Sequence, residues 1–291
     1  MYDKTKNARL SEPADVLREI TGSTEYLEER AKLQRQRMLG STTLSKLAGS
    51  PIESTARRMA DTIRKDNYGY DNDESRELTL VSILPSFINS QRKLDMRRNE
   101  MSDREYDIIL EPVDEFNHLV GEMIDAGQFT KKSEAVGFIK DIVLRVRAST
   151  EVINYASGIM HDVLTGVCNE IASESVIRDI PGVFDVERAI SRKDESKGRD
   201  LVVLGYKGVD EIPIDIKSSR FGVRKSRESV SCTRDGGIVM QSGFSPEDFG
   251  DNLIPDADTL KKKIPYYTDM LDDAVEILTN ENKWNRFANF G

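Results

Sequence analysis

Two aspartates and a lysine are the residues whose types and spacing could do chemistry: Asp200, then, fifteen positions on, Asp215-Ile216-Lys217. Glu211 to Lys217 alternates, with Ile212, Ile214 and Ile216 on one face and Pro213, Asp215 and Lys217 on the other. Side chains two apart in a strand project to the same side, so a carboxylate and an ammonium stand together. Leu201 to Tyr206 is a second β-prone run, and Lys207-Gly208 between the two runs is a turn. A tight hairpin brings the start of one strand beside the end of the next, which puts Asp200 within reach of Asp215 and Lys217. Two carboxylates on adjacent strands offer hard oxygen ligands to Mg²⁺, and the carbonyl of Ile216 can add another. A metal held there acidifies a water and neutralises charge developing on a phosphate. The neighbouring lysine orients that water, or acts as its base if its pKa is depressed, and contacts the phosphate. In a plain surface hairpin the same Asp–Lys pair would be exposed and contribute little.

These groups need a frame. Apolar residues recur at helical steps from about Ser149 to Ile177, the longest such run, and Glu170 lies near its end beside Cys168. Pro181-Gly182 closes it, and the period then changes from helix to strand. The first half reads as mostly helical: Ala14 to Met38, Leu78 to Arg98, Asp114 to Ala126 and Ser133 to Arg147, with a capped start at Ser102-Asp103-Arg104-Glu105. A last amphipathic helix spans about Ala257 to Leu278, ahead of a tail with Trp284. The expected class is mixed α and β (α/β, or α+β): a helical N-terminal region over 1–130 and a sheet-containing core over 131–291.

Asp200 followed by Asp215-Ile216-Lys217 resembles the PD-(D/E)xK nuclease superfamily, over roughly Val152 to Val230. The resemblance implies a restriction-endonuclease-like fold, a mixed β-sheet flanked by helices, with an acidic residue on the preceding helix joining the site; Glu170 holds that place. It implies a Mg²⁺-dependent double-stranded DNA endonuclease, most like a type II restriction enzyme working as a homodimer or tetramer, with Asp200, Asp215, Lys217 and Glu170 as catalytic residues and Asp200, Asp215 and Ile216 around the metal. One departure is plain: Arg199, not proline, precedes Asp200. Immediately after Lys217 come Ser218, Ser219, Arg220, Arg224, Lys225 and Arg227, residue types that contact phosphates and guanine edges, and they are the expected DNA-binding set. Lys261-Lys262-Lys263 with Tyr266-Tyr267 is a weaker one.

Other features bound the alternatives. The net charge of −9 runs against the usual basic balance of DNA binders, although local distribution outweighs the sum. No eighteen-residue apolar run and no apolar N-terminal core occur, so a cytoplasmic chain is expected. Cys168 and Cys232 lack metal-ligand spacing, His118 and His161 are isolated, and no GxxxxGK[ST] loop occurs. Residues 42–65, two short helices around Gly49-Ser50-Pro51 with Arg57, Arg58, Arg64 and Lys65, resemble a helix-turn-helix. They carry a competing reading, a non-catalytic DNA-binding regulator. A structure-specific or repair nuclease such as a junction resolvase is a third.

Overall fold

The computed structural model describes residues 51–97, 101–145, 148, 150–188, 200–218, 230–232 and 237–279. They fall into two compact units, Met1–His161 and Asp162–Gly291. The division lies inside the long helix rather than at 130/131, where the sequence suggested it. Residues 1–50, with the first half of the helix-turn-helix pattern, lie outside the described residues.

The first unit is helical: α1 (Pro51–Asp66), α2 (Asp73–Arg97), α3 (Asp103–Asp125), α4 (Lys132–Arg145) and the beginning of α5 (Thr150–Arg178). Local chemistry fixes the helix starts. Pro51 opens α1, where a missing N–H costs nothing. Helix α2 begins five residues before the apolar run at Leu78, because Asn72 caps it: Ser75 N donates to Asn72 Oδ1 at 2.8 Å and Asn72 N to Ser75 Oγ at 2.9 Å. Ser102 and Glu105 form the expected reciprocal box on α3. Helix α2 buries apolar side chains almost all round, among them Leu78, Leu80, Val81, Ile83, Leu84 and Phe87, as a central helix must. Phe87 stacks on Phe116 of α3 with ring centroids 3.9 Å apart. No described helix is long and apolar enough to cross a membrane.

The second unit is a five-stranded mixed sheet with helices packed against it. Its strands are β1 (Asp185–Arg188), β2 (Leu201–Tyr206), β3 (Val209–Lys217), β4 (Val230–Cys232) and β5 (Ile238–Gln241), in the order β1-β2-β3-β5-β4. Among the described strands, only β3 and β5 run parallel. The remaining part of α5, the short α6 (Pro246–Phe249) and α7 (Ala257–Thr279) are its described helices. Strands β2 and β3 form the expected hairpin, with Tyr206 opposite Val209. Its turn holds Lys207 at φ 48° and Gly208 at φ 85°, the left-handed pair that matches the twist of a two-residue hairpin. Leu201, Val203, Ile212, Ile214 and Ile216 are all buried, so the isoleucine face is core. Pro213 sits in the middle strand without breaking the ladder. Its nitrogen points away from β2, and pairing with β5 begins only at Ile214. Asp256 caps α7, accepting from Thr259 N at 2.7 Å, and the helix buries Tyr267, Met270, Leu271, Ala274 and Ile277.

One half-buried acid in the first unit costs stability. Burial, then the charges of Asp73 and Glu74, raise the Glu77 carboxyl from 4.5 to about 7. A folded-state pKa above the unfolded value gives stability that is complete below the unfolded pKa and lost as pH rises through the folded one. Glu77→Gln removes that loss. Thermal melts should place the variant a few degrees above the parent near pH 8, with the two curves converging near pH 4.5. Curves that stay parallel across this range would show that Glu77 is not the cause.

Candidate functional site

The hairpin sets the site. Asp200 lies one residue before the Leu201–Ile214 pair that ends the described β2–β3 ladder. Two hydrogen bonds hold it there. Asp200 N donates to Ile214 O at 2.8 Å, and Asp200 Oδ2 accepts from Ile216 N at 2.6 Å. Asp200 therefore straddles Asp215, bonded to the backbone on either side of it. The reason is local. The amides of Ile212, Ile214 and Ile216 all face β2, and among the described residues β2 starts at Leu201, so the Ile216 amide lies beyond the described strand. A buried amide without a partner is costly, and the Asp200 carboxylate supplies the acceptor. In a strand, a residue's C=O points to the same edge as its N–H, so the Ile216 carbonyl shares this gap. The other edge of β3 is closed by β5, where Ser242 N donates to Lys217 O at 2.8 Å.

The charges are crowded. Asp215 is only 6% exposed, unlike the exposed acid of a surface hairpin. Its Oδ1 accepts no well-formed hydrogen bond and has the Lys217 ammonium against it. Burial, then the nearby charges of Glu170 and Asp215, push the Asp200 carboxyl well above the usual aspartate range, with Lys217 opposing. Burial also raises Glu170; Lys217 and Arg188 pull it down, and Asp215 pushes it up. Burial disfavours the charged form of Lys217, but Asp215, Asp200 and Glu170 outweigh it and hold the amine above its ordinary range. The base role considered for Lys217 needs the opposite shift. In this arrangement it is a fixed cation that orients and screens.

Glu170, Asp200, Asp215 and Lys217 thus act on one another across α5, the start of β2 and the end of β3. Ile216 joins through its backbone. Ser218 is an exposed bend directly after β3. Ser219, Arg220, Arg224, Lys225 and Arg227 lie outside the described residues. Among the described residues, no group of three His, Cys, Asp or Glu side chains is already drawn together as a metal cage. The residues nonetheless suit a hard divalent cation. The donors are carboxylates, and a bound cation would relieve the crowding that raises the Asp200 and Glu170 carboxyls.

Sequence reasoning missed several neighbours. Arg188 on β1 pairs through Nε with Glu174, one helical turn beyond Glu170. Arg178 also reaches Glu174, at 2.8 Å, and donates to Val186 O at 2.7 Å. The four-residue step from Glu170 to Glu174 was visible on the helix, but the arginine that answers it is a tertiary partner. Asn169, Ser173, Ser242 and Tyr267 are buried polar groups that no motif marks. The Lys263 and Tyr266 side of α7, first read as a weak DNA contact, is engaged within the unit. Lys263 Nζ donates to Gly243 O at 2.7 Å and meets Asp248 at 2.9 Å, and Tyr266 donates to Gln241 O at 3.1 Å. Gly243 has no room for a side chain: a Cβ there would lie 2.7 Å from the Tyr266 ring.

Comparison with known protein families, with curated proteins and with solved structures finds no match to this chain.

The crowding is directly measurable. Asp200 has a raised folded-state pKa, so its contribution to stability is lost as pH rises through that value. Asp200→Asn keeps an acceptor for the Ile216 amide and removes the charge. It should raise the melting temperature near pH 8 and lose that advantage near pH 4, where wild-type Asp200 is also neutral. Mg²⁺ should raise the melting temperature of wild type, more at the higher pH, and do little for Asp200→Asn. An equal Mg²⁺ response in the two proteins would sink this account of the site.

Proposed function

We propose that this chain is a Mg²⁺-dependent endonuclease of double-stranded DNA, with a restriction-endonuclease-like core in its second unit and a type II restriction activity. The observation that carries the proposal is Asp200 bonded to the backbone on either side of Asp215, with Lys217 against Asp215 and Glu170 near enough to feel both of their charges. A cluster of this kind, with Asp215 buried and its neighbours half-buried, is a poor structural device, because desolvated like charges oppose folding. A divalent cation and a phosphodiester together give it a purpose.

In this reading Asp200, Asp215 and the Ile216 carbonyl would hold Mg²⁺, and Glu170 would complete the acidic edge. Bound there, the ion lowers the pKa of a water and offsets negative charge on the phosphate. The chain's own residues do the positioning. Lys217, kept protonated by three carboxylates, presents a cation to the attacking water and the scissile phosphate. Asp200 is held rigid because its carboxylate is already fixed to the Ile216 amide. Burial of Asp215 keeps its charge unscreened by solvent. Ser218, Ser219, Arg220, Arg224, Lys225 and Arg227 follow Lys217 in the chain and are proposed to contact phosphates and base edges. A homodimer, one copy for each strand, cuts the duplex and leaves 5′-phosphate and 3′-hydroxyl ends.

The test uses supercoiled plasmid, with Mg²⁺ or with EDTA. Discrete fragments that need the metal are expected, and sequencing their ends reports the site and the cut. Asp215→Asn and Lys217→Ala should each slow cutting at least about a hundredfold while DNA binding persists. Because Asp200 and Glu170 must be ionised to bind the ion, and both have raised pKa values, cutting should keep increasing with pH above the ordinary carboxylate range. DNA binding without any cutting would favour a regulator, and preference for branched over linear duplex would favour a resolvase.

A further inference from the structure

A buried hydrogen-bond chain runs directly behind the site. Ser242 and Asn169 are 4% and 5% exposed. Asn169 immediately precedes Glu170 on α5, and Ser242 immediately follows Gln241, the β5 residue paired with Lys217. Donor and acceptor capacity fixes the direction of every bond. Asn169 Nδ2 donates to Thr165 O at 2.6 Å, which leaves Asn169 Oδ1 as the acceptor facing Ser242. Ser242 Oγ must then donate to it, and the same oxygen accepts from Phe244 N at 3.2 Å. The backbone of Ser242 meanwhile donates to Lys217 O at 2.8 Å. One serine therefore grips the end of β3 through its amide and α5 through its hydroxyl.

We propose that Ser242 and Asn169 are positioning residues that clamp the helix carrying Glu170 to the strand end carrying Lys217. Neither side chain is among the acids and amine of the site. Each is bonded to backbone or side chain one residue away from a site residue or its strand partner. A buried pair with a fixed direction of donation tolerates little slippage, because a shifted register leaves a buried oxygen or amide unsatisfied. Apolar packing alone would hold α5 near the sheet, but it would not fix the helix against sliding by part of a turn. Such a slide would move Glu170 relative to Lys217 and Asp215.

The proposal rests on the endonuclease reading, and the experiment separates the two. Full-length wild type, Ser242→Ala, Ser242→Thr and Ser242→Cys are compared well below their melting temperatures. The readouts are kcat, the KM for DNA, and the Mg²⁺ concentration at half-maximal rate. Ser242→Ala should lose about 10- to 100-fold in kcat and need more Mg²⁺, with KM for DNA nearly unchanged. Ser242→Thr keeps the hydroxyl and should recover most of the rate. Ser242→Cys, a near-isostere with a weaker donor, should fall between them, and it gives the same readout if the alanine variant does not fold. A lowered melting temperature with unaltered kcat and Mg²⁺ dependence overturns the positioning role, as does a change confined to KM. Wild type that neither cuts DNA nor responds to Mg²⁺ overturns the endonuclease reading, and this inference with it.

Discussion

The second unit depends on one mismatch of length. Among the described residues, strand β3 runs past the start of β2, and the amide of Ile216 has no ladder partner there. The Asp200 carboxylate fills that position. The bond does two jobs at once: it completes the sheet and it commits a charged group to the side of Asp215. From that commitment follow the burial of acid beside acid, the raised pKa values and the dependence of the whole cluster on the Lys217 cation. An alanine at 200 would cost the sheet an acceptor as well as the site a charge.

The cluster trades stability for charge density. Paired and desolvated, Asp215 and Lys217 offset one another, but Asp200 and Glu170 remain in excess. The rest of the unit compensates by ordinary means: the isoleucine face of β3, the buried side of α7 and the aromatic contacts of Phe244 with Phe249 and Tyr267. Buried polar side chains are placed where they tie elements together rather than where they fill space. Tyr267 shares a hydrogen bond with Ser173 at 2.6 Å and accepts from Gly243 N at 3.1 Å, so α7, α5 and the segment after β5 meet at one hydroxyl. The first unit is organised differently. Its central helix is apolar on nearly every side, and its polar contacts lie at the margins, in the cap at Asn72, in serine–backbone bonds such as Ser82 to Thr79 O, and in side-chain pairs such as Arg76 with Gln128.

Much of the fold was legible because its determinants are local. Period-two alternation marked β3, a β-prone run marked β2, and Lys207-Gly208 marked the turn that joins them. Once the turn length is known, the hairpin register follows, and with it the meeting of Asp200 and Asp215. The long apolar stripe of α5 and the capping box at Ser102 were equally readable. Helix α2 starts earlier than its hydrophobic pattern suggests, because Asn72 caps a polar first turn that periodicity cannot see.

The sequence by itself determined which side chains share a face of β3, which acid lies across the hairpin, and that Glu170 belongs to the helix before the sheet. These are consequences of strand pleat, turn length and helical pitch, all of which act over a few residues. Only the tertiary structure decided that Asp215 is buried, that Lys217 is held charged, that Asp200 bonds the Ile216 amide, and that Arg188, Asn169 and Ser242 stand behind the site. Those outcomes depend on how elements distant in the chain pack together. Burial, dielectric and hydrogen-bond partners are set by that packing, and spacing along the chain does not encode them.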